Sequence, residues 1–150
     1  AADLSDSALA CARRMGASET HNLRDEPQAL ARYTAEKGHF DVMFEASGSA
    51  QALRDGLTCV RPRGVIVTVG LGGDVSIPLN LIVGKEIDVR GTFRFHAEFA
   101  QAVDLLNRKL IDVTPVISHT LAFGEAVQAF ELAGDKQQAM KVVLDFGVRD

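Results

Sequence analysis

The sequence predicts an α/β chain built on a doubly wound, parallel sheet. Short apolar runs bounded by glycine alternate with stretches of helical apolar spacing through residue 110. The run Val65–Val69 has the compact apolar character of a strand buried on both faces. It opens into Gly70-Leu71-Gly72-Gly73, and glycines just past the carboxyl end of such a strand let a ligand approach the backbone closely.

The elements follow in order. Ala1–Asp3 reads as the end of a strand. Ser5 or Asp6 caps a helix with an apolar stripe of Leu4, Ala8, Cys11, Ala12 and Met15, stopped by Gly16. Glu19–Leu23 is a candidate strand. Pro27 suits the first turn of a second helix, which buries Leu30 and Tyr33 and ends at Gly38. Phe40–Ala46 is a strand, with Ser47-Gly48-Ser49 as its turn. Ala50, Leu53, Leu57 and Val60 mark a third helix, halted by Pro62 and Gly64 ahead of the strand Val65–Gly70.

Gly72–Pro78 is a loop, and Ile77–Val83 is apolar and uncharged in a loop-like place. Gly84-Lys85-Glu86 turns the chain into a strand over Ile87–Phe93. A helix over 97–109 is expected to bury Phe99, Ala102, Val103, Leu106 and Leu110. Pro115 breaks the chain. Val116–Thr120 is extended, and Gly124–Ala133 is a helix with Ala126, Val127, Phe130 and Ala133 on one face, stopped by Gly134. Met140–Phe146 ends the pattern as a strand. This tail interrupts the strand–helix rhythm and is expected to pack against something other than the sheet.

Composition narrows the function. The 150 residues suffice for one domain with a core, and 47% hydrophobic with 24% charged content is ordinary for a soluble globular protein. A net charge of -4 without a basic stripe argues against nucleic acid. No apolar run approaches the roughly 20 residues of a membrane span. The opening Ala-Ala-Asp-Leu-Ser-Asp lacks the basic start and apolar run of a signal peptide, so a cytoplasmic location is expected. Cys11 and Cys59 read as buried free thiols in a reducing compartment, and two isolated cysteines do not make a structural zinc site.

Five positions or short motifs invite a chemical reading. Asp3 ends a strand before a helix. It is a cap on one reading; on another it is the acid that hydrogen-bonds an adenosine ribose in a dinucleotide-binding fold. Gly70-Leu71-Gly72-Gly73 fails as a phosphate fingerprint, because the third glycine would fall at Val75 and no helix start follows. The loop therefore suits backbone contacts to a ring or ribose, or it is a plain turn. Arg94, in Phe93-Arg94-Phe95-His96, either meets an anionic or polar ligand or forms a surface ion pair. Lys141, in an otherwise apolar strand, is a snorkelling edge residue or a phosphate contact. His96-Ala97-Glu98 opens like a deaminase signature, but no Pro-Cys-x-x-Cys follows.

Asp3-Leu4-Ser5, Glu45-Ala46-Ser47-Gly48, Val69-Gly70-Leu71-Gly72, Gly91-Thr92-Phe93-Arg94-Phe95 and Met140-Lys141-Val142 occur in the order found in zinc-containing medium-chain alcohol dehydrogenases. Within that family the chain resembles the sorbitol and polyol branch, and its Phe-Arg-Phe-His form is most similar to L-idonate 5-dehydrogenases. The resemblance covers the C-terminal part of such an enzyme. It implies a partial Rossmann-type sheet: residues 1–112 as the C-terminal portion of an NAD-binding domain, and 113–150 as a segment returning toward a zinc-binding catalytic domain.

The resemblance also implies roles. Asp3 binds the ribose diol and selects NAD. Ala46, Ser47 and Gly48 lie by the adenosine side. Val69, Gly70 and Leu71 present backbone groups to the nicotinamide carboxamide. Phe93, Arg94 and Phe95 line the nicotinamide and substrate end, with Arg94 reaching the polyol. Phe95 stands where sorbitol dehydrogenases usually have Tyr, which removes a hydroxyl contact. Lys141 sits near the pyrophosphate. Ala8 replaces an Arg that some relatives carry.

The implied zinc ligands, the Gly-x-Gly-x-x-Gly turn and the first strand of the sheet would all lie upstream of Asp3, so no catalytic or metal-binding residue is expected within the chain. Phe40–Ala46 is then expected to expose an unpaired edge, and Glu19–Leu23 to lack a neighbour on its near side. The expectation is a fragment of a longer polypeptide that does not fold stably alone, or does so by repairing its sheet with another chain. Ile77–Val83 is expected to join two subunits in a homodimer or homotetramer. The implied reaction is NAD-dependent, zinc-assisted oxidation of a secondary alcohol on a polyol or sugar acid. A zinc-free reductase of the quinone oxidoreductase type and a non-catalytic nucleotide-binding or dimerisation module are the competing readings.

Overall fold

Parallel pairing runs through the whole chain. The computed structural model describes residues 1–147, and its strands form three parallel groups. β1 (Ala2–Asp3) pairs with β2 (His21–Asn22), β3 (Phe40–Glu45) with β4 (Val60–Thr68) and β4 with β5 (Asp88–Gly91), and β6 (Ile117–Ala122) with β7 (Lys141–Asp145). The helices are α1 (Asp6–Arg14), α2 (Ala50–Cys59), α3 (Leu79–Lys85), α4 (Ala97–Asn107) and α5 (Ala126–Gly134). Two units result: Ala1–Pro27 together with the chain from Ala97 onward, and Gln28–His96. No described helix is long and apolar enough to cross a membrane.

In the first unit, Ser5 caps α1 by accepting the Ala8 N–H at 3.4 Å. Gly16, at φ 98°, closes the helix. Its N–H reaches Arg13 C=O at 3.0 Å, and the Ala17 N–H reaches Ala12 C=O at 2.9 Å. The buried residues of α1 are Leu9 and Cys11, while Leu4 and Met15 of the expected stripe are exposed. Leu4 precedes the N-cap and Met15 is the C-cap, so both leave the helical stripe. Glu19–Leu23 does find a neighbour, contrary to expectation. Ala2 aligns with His21 and Asp3 with Asn22, because the turn after α1 carries the chain back alongside β1.

The tail keeps the strand–helix rhythm and does not interrupt it. Pro115 sits in a short 3₁₀ turn, Thr114–Val116, and the chain then runs strand, helix, parallel strand. Ser118 ties the pair, its Oγ donating to Lys141 C=O at 3.0 Å. α5 packs on β7 through Ala129, with Ala126 and Leu132 half-buried beside it, whereas Val127 and Phe130 face outward. Ala129 is the buried residue of α5, so the buried side of the helix is not the expected one. α4 forms as expected but has no buried residue, so Phe99, Ala102, Val103, Leu106 and Leu110 are all exposed. Apolar spacing marks which face of a helix wants cover; it does not supply the cover.

In the second unit, Leu57, Val60, Ile66 and Ile87 form the core, with Met43, Leu53, Ile77, Leu81 and Ile82 packed around them. Gly56 lets Met43 lie against α2, since a Cβ there would stand 1.9 Å from its sulfur. The expected second helix is instead a pair of 3₁₀ turns within Ala31–Lys37, broken at Ala35 and Glu36. The segment is short, and the Thr34 hydroxyl donates to the Ala31 carbonyl at 2.8 Å, which tightens the turn. Leu30 and Tyr33 are consequently half-buried.

β4 starts at Val60, five residues before the expected Val65. The register jumps from Phe40↔Val60 to Val42↔Val65, and the intervening residues bulge out, which accommodates Pro62. Among the described residues β3 is the edge strand beside β4, and Phe44 on it is 70% exposed. Leu79–Val83 lies in the helix α3 and is not a loop: Leu81 and Ile82 turn into the core and Leu79 and Val83 outward.

Candidate cofactor site

Register places three loops side by side. Glu45 aligns with Thr68 and Thr68 with Gly91, so the carboxyl ends of β3, β4 and β5 stand level at one edge of the sheet. The residues that follow are Ala46–Ser49, Val69–Gly73 and Thr92–Phe95. In open parallel sheets this edge is where ligands bind. It gathers Ala46, Ser47, Gly48, Val69, Gly70, Leu71, Phe93, Arg94 and Phe95, all singled out from the sequence.

Glu45 organises the first two loops. It is 4% exposed, and its Oε1 accepts the Ser47 N–H at 2.8 Å, the Gly48 N–H at 3.0 Å and the Ser47 hydroxyl. Its main-chain carbonyl accepts the N–H groups of Val69 at 2.7 Å and Gly70 at 2.9 Å. Burial alone would push the carboxyl up. The hydrogen bonds from the Ser47 hydroxyl and the backbone at Ser47, Gly48 and Ser49 outweigh it and hold the group below the usual carboxylate range.

Glycines then lock the loops together. A Cβ on Gly70 would stand 2.0 Å from Gly48 N, and one on Gly72 2.2 Å from Gly48 O. Gly48 itself has φ 71°, a left-handed conformation that favours glycine. The seam is backbone against backbone. The N–H groups of Val69 and Gly70 are spent on Glu45, so their carbonyls and Leu71, which is 78% exposed, remain to meet a ligand.

The third loop is anchored by the Thr92 N–H on Thr68 C=O at 3.1 Å. Phe93 and Phe95 beyond it are exposed. Arg94 has φ 62°, and its guanidinium carbon lies 5.0 Å from the Phe93 ring centre. The strand end therefore carries two exposed rings and a cation.

Asp3 and Lys141 belong to the other unit. Asp3 Oδ1 accepts the N–H groups of Leu4 at 2.7 Å and Ser5 at 2.9 Å, a local cap at the start of α1. Lys141 opens β7 with its side chain exposed. Cys11 and Cys59 are buried free thiols. Among the described residues no three His, Cys, Asp or Glu side chains group where they could hold a metal ion.

Two buried charges escaped the sequence reading. Glu45 was visible only as an acid inside a strand-end motif, where Ser-Gly two residues on is the signal of its partners. The sequence places Lys85 in a turn. It is 8% exposed, and its Nζ donates to the carbonyls of Leu57 at 2.8 Å, Thr58 at 2.9 Å and Val60 at 3.0 Å. Burial pushes its ammonium below the ordinary lysine range. A cleft of about 350 Å³ beside it is lined by Thr34, Lys37, Thr58, Asn80 and Leu81 among others, and by none of the strand-end loop residues.

Known proteins resemble this chain along nearly its whole length. The zinc-binding dehydrogenase family model matches residues 1–108. L-idonate 5-dehydrogenase (NAD(P)(+)) of Escherichia coli K12 is 40% identical over 146 residues, which span 97% of this chain and 42% of that protein. Its crystal structure superposes with a TM-score of 0.88 over the same shares of the two chains. D-xylulose reductase of Saccharomyces cerevisiae is 31% identical over 86% of this chain and 38% of its own length. A protein from E. coli CFT073 described as a short chain alcohol dehydrogenase, solved in complex with NADH, is 27% identical with a TM-score of 0.82, over 97% of this chain and 43% of that one.

Proposed function

This chain belongs to the zinc-binding dehydrogenase family, and on that premise we propose that it forms part of the NAD(H) site of an oxidoreductase. The reaction is oxidation of a secondary alcohol on a polyol or sugar acid of the L-idonate kind. The observation that carries the reading is the level row of strand ends with two glycine-locked loops beside two exposed rings and Arg94. Such a row offers a flat, preformed backbone wall to a planar ring and ribose.

The cofactor, when bound, supplies the hydride acceptor, and the chain supplies binding and orientation. Ala46, Ser47 and Gly48 border the adenosine side. The Val69 and Gly70 carbonyls and the Leu71 backbone meet the carboxamide. Phe93 and Phe95 cover the nicotinamide end, and Arg94 reaches the hydroxyls of the substrate. In the other unit, taken by itself, Asp3 is the residue proposed for a ribose diol and Lys141 for a pyrophosphate. Zinc would assist by polarising the substrate oxygen, and no described residue is proposed to hold it. The reading places the enzyme in the cytoplasm. It also makes the outward Leu79 and Val83 of Ile77–Val83, 64% and 70% exposed, a contact between two copies. A constant monomer mass across protein concentrations would remove that contact.

Titration of purified protein with NADH, followed by cofactor fluorescence, tests the reading. Saturable binding is expected, and Asp3→Ala should weaken it about tenfold, the weight of a hydrogen bond to a charged group. Arg94→Ala should lower polyol turnover more than it weakens NADH binding. Absence of saturable NADH binding by the unaltered protein overturns the proposal.

A further inference from the structure

We propose that Glu45 is a positioning residue that builds the dinucleotide wall, an inference that rests on the reading of these loops as the NAD(H) site. Its carboxylate and its main-chain carbonyl act on different loops. The carboxylate draws in Ser47 and Gly48 from the β3 side, and the carbonyl draws in Val69 and Gly70 from the β4 side. One residue thereby sets the spacing of a seam that tolerates no side chain, since Gly48 meets Gly70 and Gly72 backbone to backbone.

The arrangement is economical in donors. Four N–H groups that would otherwise compete for a ligand's oxygens are already occupied by Glu45. The loops then present acceptors and apolar surface, which suits an amide and a ring better than a phosphate. This accounts in physical terms for a glycine-rich loop that lacks the phosphate fingerprint. Glu45 itself touches no ligand on this reading; it works through Ser47, Gly48, Val69 and Gly70.

Glu45→Gln keeps the size and one acceptor, but turns an amide N–H₂ toward the Gly48 N–H, which lies 3.1 Å from Oε2. In an NADH titration the dissociation constant is expected to rise about tenfold, as for loss of one charge-assisted hydrogen bond, with the number of sites per chain unchanged. A merely structural role would do the reverse, lowering the number of competent sites and leaving the constant as it was. An unchanged constant in Glu45→Gln, with the unaltered protein binding NADH, overturns this inference and spares the functional reading. Failure of the unaltered protein to bind overturns both. Should Glu45→Gln not yield folded protein, Glu45→Asp withdraws the same carboxylate by one methylene, and a raised constant there supports the inference as well. If neither variant folds, Glu45 is a general stability residue and the inference is overturned.

Discussion

The two ends of α2 solve opposite problems with opposite buried charges. At its start, the Glu45 carboxylate collects N–H groups from the turn that leads into the helix. At its finish, the Lys85 ammonium collects three carbonyls from the helix end and the strand start beyond it. An anion by the first turn and a cation by the last both suit the helix dipole. The surroundings differ, however. Lys85 is set against Leu57 and Val60, which are fully buried. Glu45 underlies loops that open to solvent, with Leu71 78% exposed. The same device thus ties down the core at one end and orders the strand-end loops at the other.

Lys85→Met is the strongest test of that division. The side chain keeps its length, but three carbonyls lose their donor. An unsatisfied buried polar group costs about 1–3 kcal/mol, and partial relaxation brings the total to about 3 kcal/mol. The melting temperature should fall by roughly 10 °C, with NADH affinity of the folded fraction unaltered. Thermal unfolding beside an NADH titration checks both parts. A large loss of affinity with little change in melting would invert the comparison.

Gly70→Ala comes next and strikes the other end. The new Cβ would meet Gly48 N at 2.0 Å, and this neighbour is backbone and not a movable side chain. The loops must part, at a cost of about 2 kcal/mol, and here NADH affinity should fall along with stability. Gly73→Ala is the control, because a Cβ there has nothing within 4 Å. Equal effects of the two substitutions would show that the seam between the loops carries no weight.

Much of this was legible beforehand. The alternation of strands and helices, the breaks at Gly16 and Gly38, and the row of strand-end loops all follow from local signals. These are apolar spacing, capping residues and glycine. What local signals do not specify is the partner. Lys85 reads as a turn residue because its acceptors lie 25 to 28 residues away in the chain. α4 carries an apolar stripe, yet none of its residues is buried, and α5 packs through the small Ala129 and not through Val127 or Phe130. The tail after Pro115 reads as irregular because proline breaks the local pattern, but the parallel register of β6 and β7 shows a strand–helix–strand unit. Asp3 shows the same limit: its cap bonds are local and predictable, whereas any ligand contact is not.

The gentlest perturbation is acid, and its sign separates the two ends of α2. The folded-state pKa of Glu45 lies below its ordinary value. A depressed carboxyl contributes stability that is fully present above the unfolded-state pKa of about 4.3 and is lost as pH falls through the lower folded value. Between pH 5 and 8 the difference in stability between the unaltered protein and Glu45→Gln should therefore be flat, and below that window it should shrink. The exposed carboxylates Asp41, Asp112 and Asp135 are also depressed, by Arg61, Thr114 and the Gln137 backbone respectively as leading causes. They are common to both proteins and cancel in the difference. Melting temperatures of the pair from pH 3 to 8 supply the measurement. A difference that already declines between pH 6 and 8 would mean that Glu45 is not held as a carboxylate by the loop, and the mirror-image pairing with Lys85 would fail.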